Sequence, residues 1–152
     1  MGRKVQEVVV DTYTLMAMVF GELTPLAKKT MLAIYKGEIQ GLIPSPVAYE
    51  FSLQWLKGRI PGLASLGDVK AFLKAYFSII ELSFEDFLKA AEVKNSGDRL
   101  LAESKKKDLS GRRLSLVDSC IIVVASKREI PIVTGDKDLS YVASKLGLEV
   151  IW

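Results

Sequence analysis

Short, mostly apolar segments, each too brief to make a helix, alternate along this chain with longer stretches of helical pattern. Val8-Val-Val10, Leu42-Ile43, Ile79-Ile-Glu-Leu82, Pro131-Ile-Val-Thr134 and Glu149-Val-Ile151 are the five such segments. A strand with one face in water alternates polar and apolar residues. These do not, so both of their faces must be covered. Strands of this kind separated by helices predict an α/β fold: a parallel sheet with helices on both sides and right-handed crossovers. At 152 residues, 49% of them hydrophobic, the chain can build a full core without staples. Residues 1–152 read as one domain, with no repeat or linker.

The stretches between the strands carry helix signals. Thr12 to Phe20 reads as a helix. Thr24 before Pro25 predicts an N-cap followed by proline at the first helical position, with Gly37 as the stop. Ser45 before Pro46 predicts the same start for a helix that carries Val47, Phe51 and Trp55 on one face. Residues 58–67 read as a loop, and Asp68 to about Phe77 as a helix. Ser83-Phe-Glu-Asp86 has capping-box spacing and opens a helix reaching about Glu103, with Asn95-Ser-Gly97 as an expected interruption. Ser104 to Arg113 is polar and basic. Leu116 to Ala125 is apolar on all sides and predicts a buried helix. Residues 135–138 read as a turn before a last helix, Leu139 to Leu146, capped by Gly147.

Composition excludes several chemistries. The chain has no histidine, which removes Ser-His-Asp and Cys-His nucleophilic catalysis and any His-ligated metal. Its single cysteine, Cys120, cannot form an internal disulfide and reads as a small buried hydrophobe, consistent with a reducing compartment. No apolar run approaches the roughly 18 residues of a membrane span. Arg3 and Lys4 precede an apolar stretch as in a signal peptide, but Glu7 and Asp11 interrupt it, so a cytoplasmic protein is expected. The net charge of +3 permits a polyanionic partner without demanding one.

What remains is carboxylate chemistry. In open α/β sheets, ligands bind beyond the carboxyl ends of the strands. Asp11 directly follows the first strand, and Asp136 lies two residues past the fourth. Asp118 opens the buried helix, and Glu50 lies on the helix after the second strand, beside Val47 and Phe51. Asp11 and Asp136 also suit helix N-caps, and Asp118 completes a capping-box pattern with Ser115. Glu50, on an apolar stripe, needs a partner. Four carboxylates gathered at one end of a sheet repel each other unless a cation joins them, and oxygen-only donors select Mg²⁺ or Mn²⁺. Such ions support phosphodiester hydrolysis without histidine.

Val8-Val-Val-Asp11-Thr, Pro46-Val-Ala-Tyr-Glu50, Leu116-Val-Asp118-Ser-Cys-Ile-Ile-Val-Val-Ala125 and Ile132-Val-Thr-Gly-Asp136-Lys-Asp-Leu139 resemble, in order, the four acidic motifs of PIN domains. The resemblance covers essentially the whole chain and is strongest to the VapC-type toxins of prokaryotic toxin–antitoxin pairs. It implies a three-layer α/β/α sandwich around a parallel five-stranded sheet, and a Mg²⁺- or Mn²⁺-dependent endoribonuclease. It further implies that Asp11, Glu50, Asp118 and Asp136 bind the metal, that Thr134 orients a carboxylate or water, and that Asp138 is an additional acid. Where the family usually has Ser or Asn, two residues after the first aspartate, this chain has Tyr13.

Lys105, Lys106, Lys107, Arg112 and Arg113, just before the Asp118 helix, are candidates for holding RNA phosphates beside the acids. A homodimer is expected from the resemblance and from the apolar load, a mean hydropathy of +0.23. An antitoxin protein is the other expected partner. Three alternatives compete. A receiver-like phosphoacceptor domain would want paired acids after the first strand, where Asp11 stands alone. The others are a non-catalytic PIN-like scaffold binding RNA or protein, and an RNA-processing nuclease without an antitoxin.

Overall fold

Val8, Val9 and Val10 are wholly buried, as their unbroken apolar run requires, and form the central strand of a five-stranded parallel sheet. The structure, a computed structural model, describes residues 4–152; Arg3, one of the two N-terminal cations noted above, lies outside the described residues. The strands are β1 (Glu7–Val10), β2 (Gln40–Pro44), β3 (Ser78–Ile80), β4 (Ile132–Val133) and β5 (Val150–Ile151). Their order is β3-β2-β1-β4-β5, with Val9 opposite Leu42 on one side and Ile132 on the other. The helices are α1 (Thr12–Val19), α2 (Pro25–Tyr35), α3 (Ser45–Leu56), α4 (Leu66–Tyr76), α5 (Phe84–Ala102), α6 (Lys107–Ser110), α7 (Leu116–Arg128) and α8 (Lys137–Lys145). Helices flank the sheet: α7 lies against β1, β2 and β4, α5 packs on α7 and α8, and α3 packs on α1 and α4. Among the described residues no helix is long and apolar enough to cross a membrane.

Most helix starts form as their residues dictate. The Thr24 hydroxyl accepts from the Ala27 N–H at 3.2 Å. Ser83 and Asp86 complete the capping box, the Asp86 N–H donating to Ser83 at 3.1 Å and the Ser83 N–H to Asp86 at 2.9 Å. Each such cap contributes about 1 kcal/mol. Ser45, by contrast, is not a cap. β2 runs straight into α3, so Pro44 takes the N-cap position without a side-chain bond and Ser45 is already helical. The absence of a loop there ties Glu50 rigidly to the end of β2.

Three further segments differ from their sequence reading. Residue 66 already begins α4, because Ser65 caps it through the Asp68 N–H at 3.1 Å. α5 runs unbroken through Asn95-Ser-Gly97. Gly97 is there for packing: a Cβ would sit 2.9 Å from Leu114 Cδ2 and 3.2 Å from Val142 Cγ1. Within the polar stretch 104–113, Leu109 is buried and anchors the single turn of α6. The buried helix α7 is as expected, with Cys120 and Ile121 to Ala125 all inside. Ser119, also wholly buried, is satisfied by donating to the Ser115 carbonyl at 2.8 Å.

Candidate active site

The chain travels outward from β1 to β2 and β3, then returns to place β4 on the other side of β1. The strand order therefore reverses at β1, and the carboxyl ends of β1 and β4 open into a crevice, the usual ligand position in such sheets. Asp11 lies at its floor, 2% exposed. Its Oδ1 accepts from the Thr14 N–H at 2.9 Å, capping α1, and its Oδ2 accepts from the Thr134 hydroxyl. Thr14 in turn donates its hydroxyl to the Val133 carbonyl at 2.8 Å, pinning the start of α1 to β4.

Thr134 connects two of the acids. While donating to Asp11, its oxygen accepts from the Asp136 N–H at 3.0 Å. Asp136 caps α8 through the Leu139 N–H at 2.9 Å, so α8 starts at Lys137, two residues before the helix expected at Leu139. Both readings of Asp11 and Asp136, helix cap and site acid, describe one arrangement: each uses one oxygen for a cap and faces the cleft. Glu50 reaches the site from α3 and accepts at Oε1 from the Thr12 hydroxyl at 2.7 Å. Asp118 differs again. Its backbone N–H donates to Ser115 Oγ at 3.0 Å, but the reciprocal bond of a capping box is not made. The helix is capped by Ser115, and the Asp118 carboxylate is left for the cleft.

All four acids line one cleft of about 430 Å³, together with Ser115, Gln54, Tyr13 and Glu22 at its sides. Their charges act on one another. Burial, then the carboxylates of Asp136 and Asp11, push Asp118 up to about 7, and Glu50 adds in the same direction. Burial raises Asp11 to about 6, against the opposing hydrogen bonds from Thr134 and Thr14. Among the described residues, no three acids converge closely enough to grip one ion as a ready-made cage. The donor set nonetheless fits Mg²⁺ or Mn²⁺. It is all oxygen, it is mutually repelling without a cation, and Mg²⁺ commonly keeps several waters and takes only one or two carboxylates from the protein.

The remaining candidates fall elsewhere. Asp138, 7% exposed, does not line the cleft. Arg112 Nε lies 2.8 Å from its Oδ1 and 2.9 Å from its Oδ2, with the N–H directed at Oδ2. Burial raises Asp138, Asp136 adds to the rise, and Arg112 opposes it. Arg113 faces Asp98 at 3.9 Å, and Lys105 and Lys107 are exposed and do not line the cleft. Of that basic stretch only Lys106 lines a depression beside the site. Thr12 was missed by sequence reasoning as a partner of Glu50. Its one signal is its position directly after Asp11.

The comparisons with known proteins come to the same fold. A family profile for the PIN domain matches residues 8–145. Among solved structures, VapBC2 from Rickettsia felis bound to a DNA fragment from its promoter superposes with a TM-score of 0.61 at 14% identity, over 95% of this chain and 97% of that one. A toxin–antitoxin complex from Klebsiella pneumoniae gives 0.57 at 18% identity, over 88% and 90%. Mycobacterium tuberculosis VapC20, a Sarcin-Ricin loop cleaving toxin, gives 0.55 at 17%, over 88% and 92%. No curated protein matches the sequence.

Proposed function

The chain belongs to the PIN-domain family, and from that premise we propose that it is a divalent-metal-dependent endoribonuclease that hydrolyses single-stranded RNA. The observation that carries this reading is the meeting of Asp11, Glu50, Asp118 and Asp136 in one cleft at the switch point of the sheet, in a chain with no histidine. These four would hold Mg²⁺ or Mn²⁺. Once bound, the ion supplies the positive charge that a phosphodiester needs to be attacked by water. The chain's own residues do the positioning. Thr134 and the Thr14 N–H hold both oxygens of Asp11, and Thr12 holds one oxygen of Glu50, so neither acid swings freely. Burial and the neighbouring carboxylates raise Asp118 to about 7 in the metal-free protein, against a side-chain hydrogen bond from Ser115.

Water attack at phosphorus leaves a 5′-phosphate and a 3′-hydroxyl. Incubating single-stranded RNA with the protein and Mn²⁺ or Mg²⁺ is expected to yield those ends, and EDTA to abolish cleavage. Cyclic phosphate products, or full activity in EDTA, overturn the mechanism. Replacing Asp118 with Asn is expected to lower the rate by about 100-fold or more, the scale seen when one placed electrostatic group is lost.

The likeness to toxin–antitoxin structures supports a role as the cytoplasmic toxin of such a pair. An antitoxin would cover the cleft and place an arginine or lysine among the four acids. A homodimer is part of the same reading, supported by exposed apolar side chains such as Tyr35, Leu32 and Phe20. Light scattering at micromolar concentration tests it, and a monomer there removes it.

A further inference from the structure

On the far side of Gly135 from the acids lies a second depression, of about 740 Å³, with the opposite charge. One wall is a stripe of α8. Lys137, Tyr141 and Lys145 follow at spacing i, i+4, i+8 and so stack on one helix face, with Ser140 and Ser144 beside them. Lys106 contributes from the start of α6, and Trp152 from the residue after β5. The one acidic side chain in its lining, Asp108, makes an exposed contact with Lys137 at 3.4 Å. Lys106 and Lys145 have no carboxylate partner among the described residues. Lys145 instead sits 5.6 Å from the centre of the Tyr141 ring, which steadies the ammonium without consuming its hydrogen-bond donors.

The ridge between the two depressions is thin and aromatic. Gly135 lines the basic groove and Asp136 the acidic cleft, so one backbone step separates them, about 3.8 Å between Cα atoms. A Cβ at residue 135 would collide with the Trp152 ring and lie 2.6 Å from the Tyr13 ring. Glycine is what lets the two rings close over the ridge. They meet edge to face, centroids 5.5 Å apart and planes at 75°. Tyr13 faces the cleft and is 48% exposed, while Trp152 faces the groove. A polyanion crossing here meets acids that need a metal to accept it, then aromatic faces, then lysines that accept phosphate unaided.

We propose that this groove binds the sugar-phosphate backbone of the RNA strand where it leaves the acidic cleft, with bases next to the cleavage point stacking on Tyr13 and Trp152. The proposal rests on the ribonuclease reading above. It assigns Lys106, Lys137 and Lys145 to phosphates and gives Tyr13, the departure from the family pattern, a positioning role. Single-stranded binding by lysines along a backbone with aromatic platforms is sequence-tolerant and salt-sensitive.

Binding is measured by fluorescence anisotropy, with a short fluorescein-labelled single-stranded RNA of mixed sequence, in an Asp118→Asn background that leaves the strand intact. Between about 50 and 200 mM salt, replacing Lys137 and Lys145 with Gln is expected to weaken binding about tenfold and flatten the log–log salt slope by about 1.4, twice the single-strand value per phosphate contact. Trp152→Ala is expected to weaken binding roughly tenfold with the slope unchanged, because stacking carries no counterions, and Trp152→Phe to restore most of it. The charge-matched control is Lys70→Gln with Lys74→Gln, on α4 next to the opposite sheet edge. Affinity and slope in the groove variant equal to those of this control overturn the proposal, as does an absence of RNA binding altogether. Cleavage of the same RNA by the unaltered protein keeps the two readings apart. Metal-dependent cleavage with groove-independent binding removes the groove and leaves the nuclease. Groove-dependent binding without any cleavage supports the groove and removes the nuclease.

Discussion

Asp118 shows how a single residue can satisfy two sequence patterns and be assigned by one bond. As the third residue of α7 it sits where a helix dipole favours negative charge, by about 0.3–1 kcal/mol. Burial and three neighbouring acids oppose that charge, and the rise to about 7 says that they win. Its folded value lies above the ordinary 3.8 of the unfolded chain. The corresponding stability is therefore fully present below about pH 4 and lost as pH rises to about 7. Without metal, Asp118→Asn is expected to melt higher than the parent at pH 8, by on the order of 1 kcal/mol or a few degrees. The difference should vanish near pH 4, and Mn²⁺ should stabilise the parent more than the variant. Melts in EDTA and in Mn²⁺ at both pH values check this, and a lower metal-free melting point for Asn returns Asp118 to a capping role. Thr134 offers the complementary case. It is wholly buried and both donates to Asp11 and accepts from Asp136. Thr134→Val strands both partners and is expected to cost about 1–3 kcal/mol in urea unfolding, whereas Thr134→Ser keeps the hydroxyl and most of the stability.

At the level of elements, caps and close approaches govern where each acid ends up. α1 and α8 begin at Asp11 and Asp136, and α3 follows β2 without a loop. Three acids are thus set by where a strand ends. That is why the sheet, every helix but the short α6 and all four cleft acids were legible in the sequence, some helix bounds aside: strand ends, caps and apolar runs are local signals. What was not legible depends on side chains meeting across the fold. Thr12 with Glu50 spans 38 residues and Arg112 with Asp138 spans 26, and neither pair has a local pattern. The expected break at Gly97 failed for the same reason, since the demand for a glycine comes from Leu114, between α6 and α7, and from Val142 on α8. Gly97→Ala is accordingly expected to destabilise by about 1–3 kcal/mol through overpacking, although alanine is the better helix former. Leu114→Ala in the same chain should leave less than the sum of the two single losses, because it vacates the space. Additive losses in chemical denaturation would show that Gly97 and Leu114 do not compete for that space.

Over the whole molecule, the acids stand on the most deeply held part of the chain. β1 is central, paired on both sides, and Val8 to Val10 have no exposed surface. The crevice lies between β1 and β4, so its floor belongs to a buried ladder of the kind that opens only with the whole fold. Amide hydrogen exchange should therefore find the Val9 and Val10 N–H groups exchanging only through global unfolding, with a free energy equal to that from denaturant. The α6 turn, which buries only Leu109, should exchange far sooner. Faster exchange at Val10 than at Ile121 in α7 would contradict this picture. A floor this protected cannot be loosened to silence the protein without melting all of it. Among the described residues that floor is a buried, paired strand rather than a loop, so blocking the opening is the way to silence the cleft that leaves the fold intact.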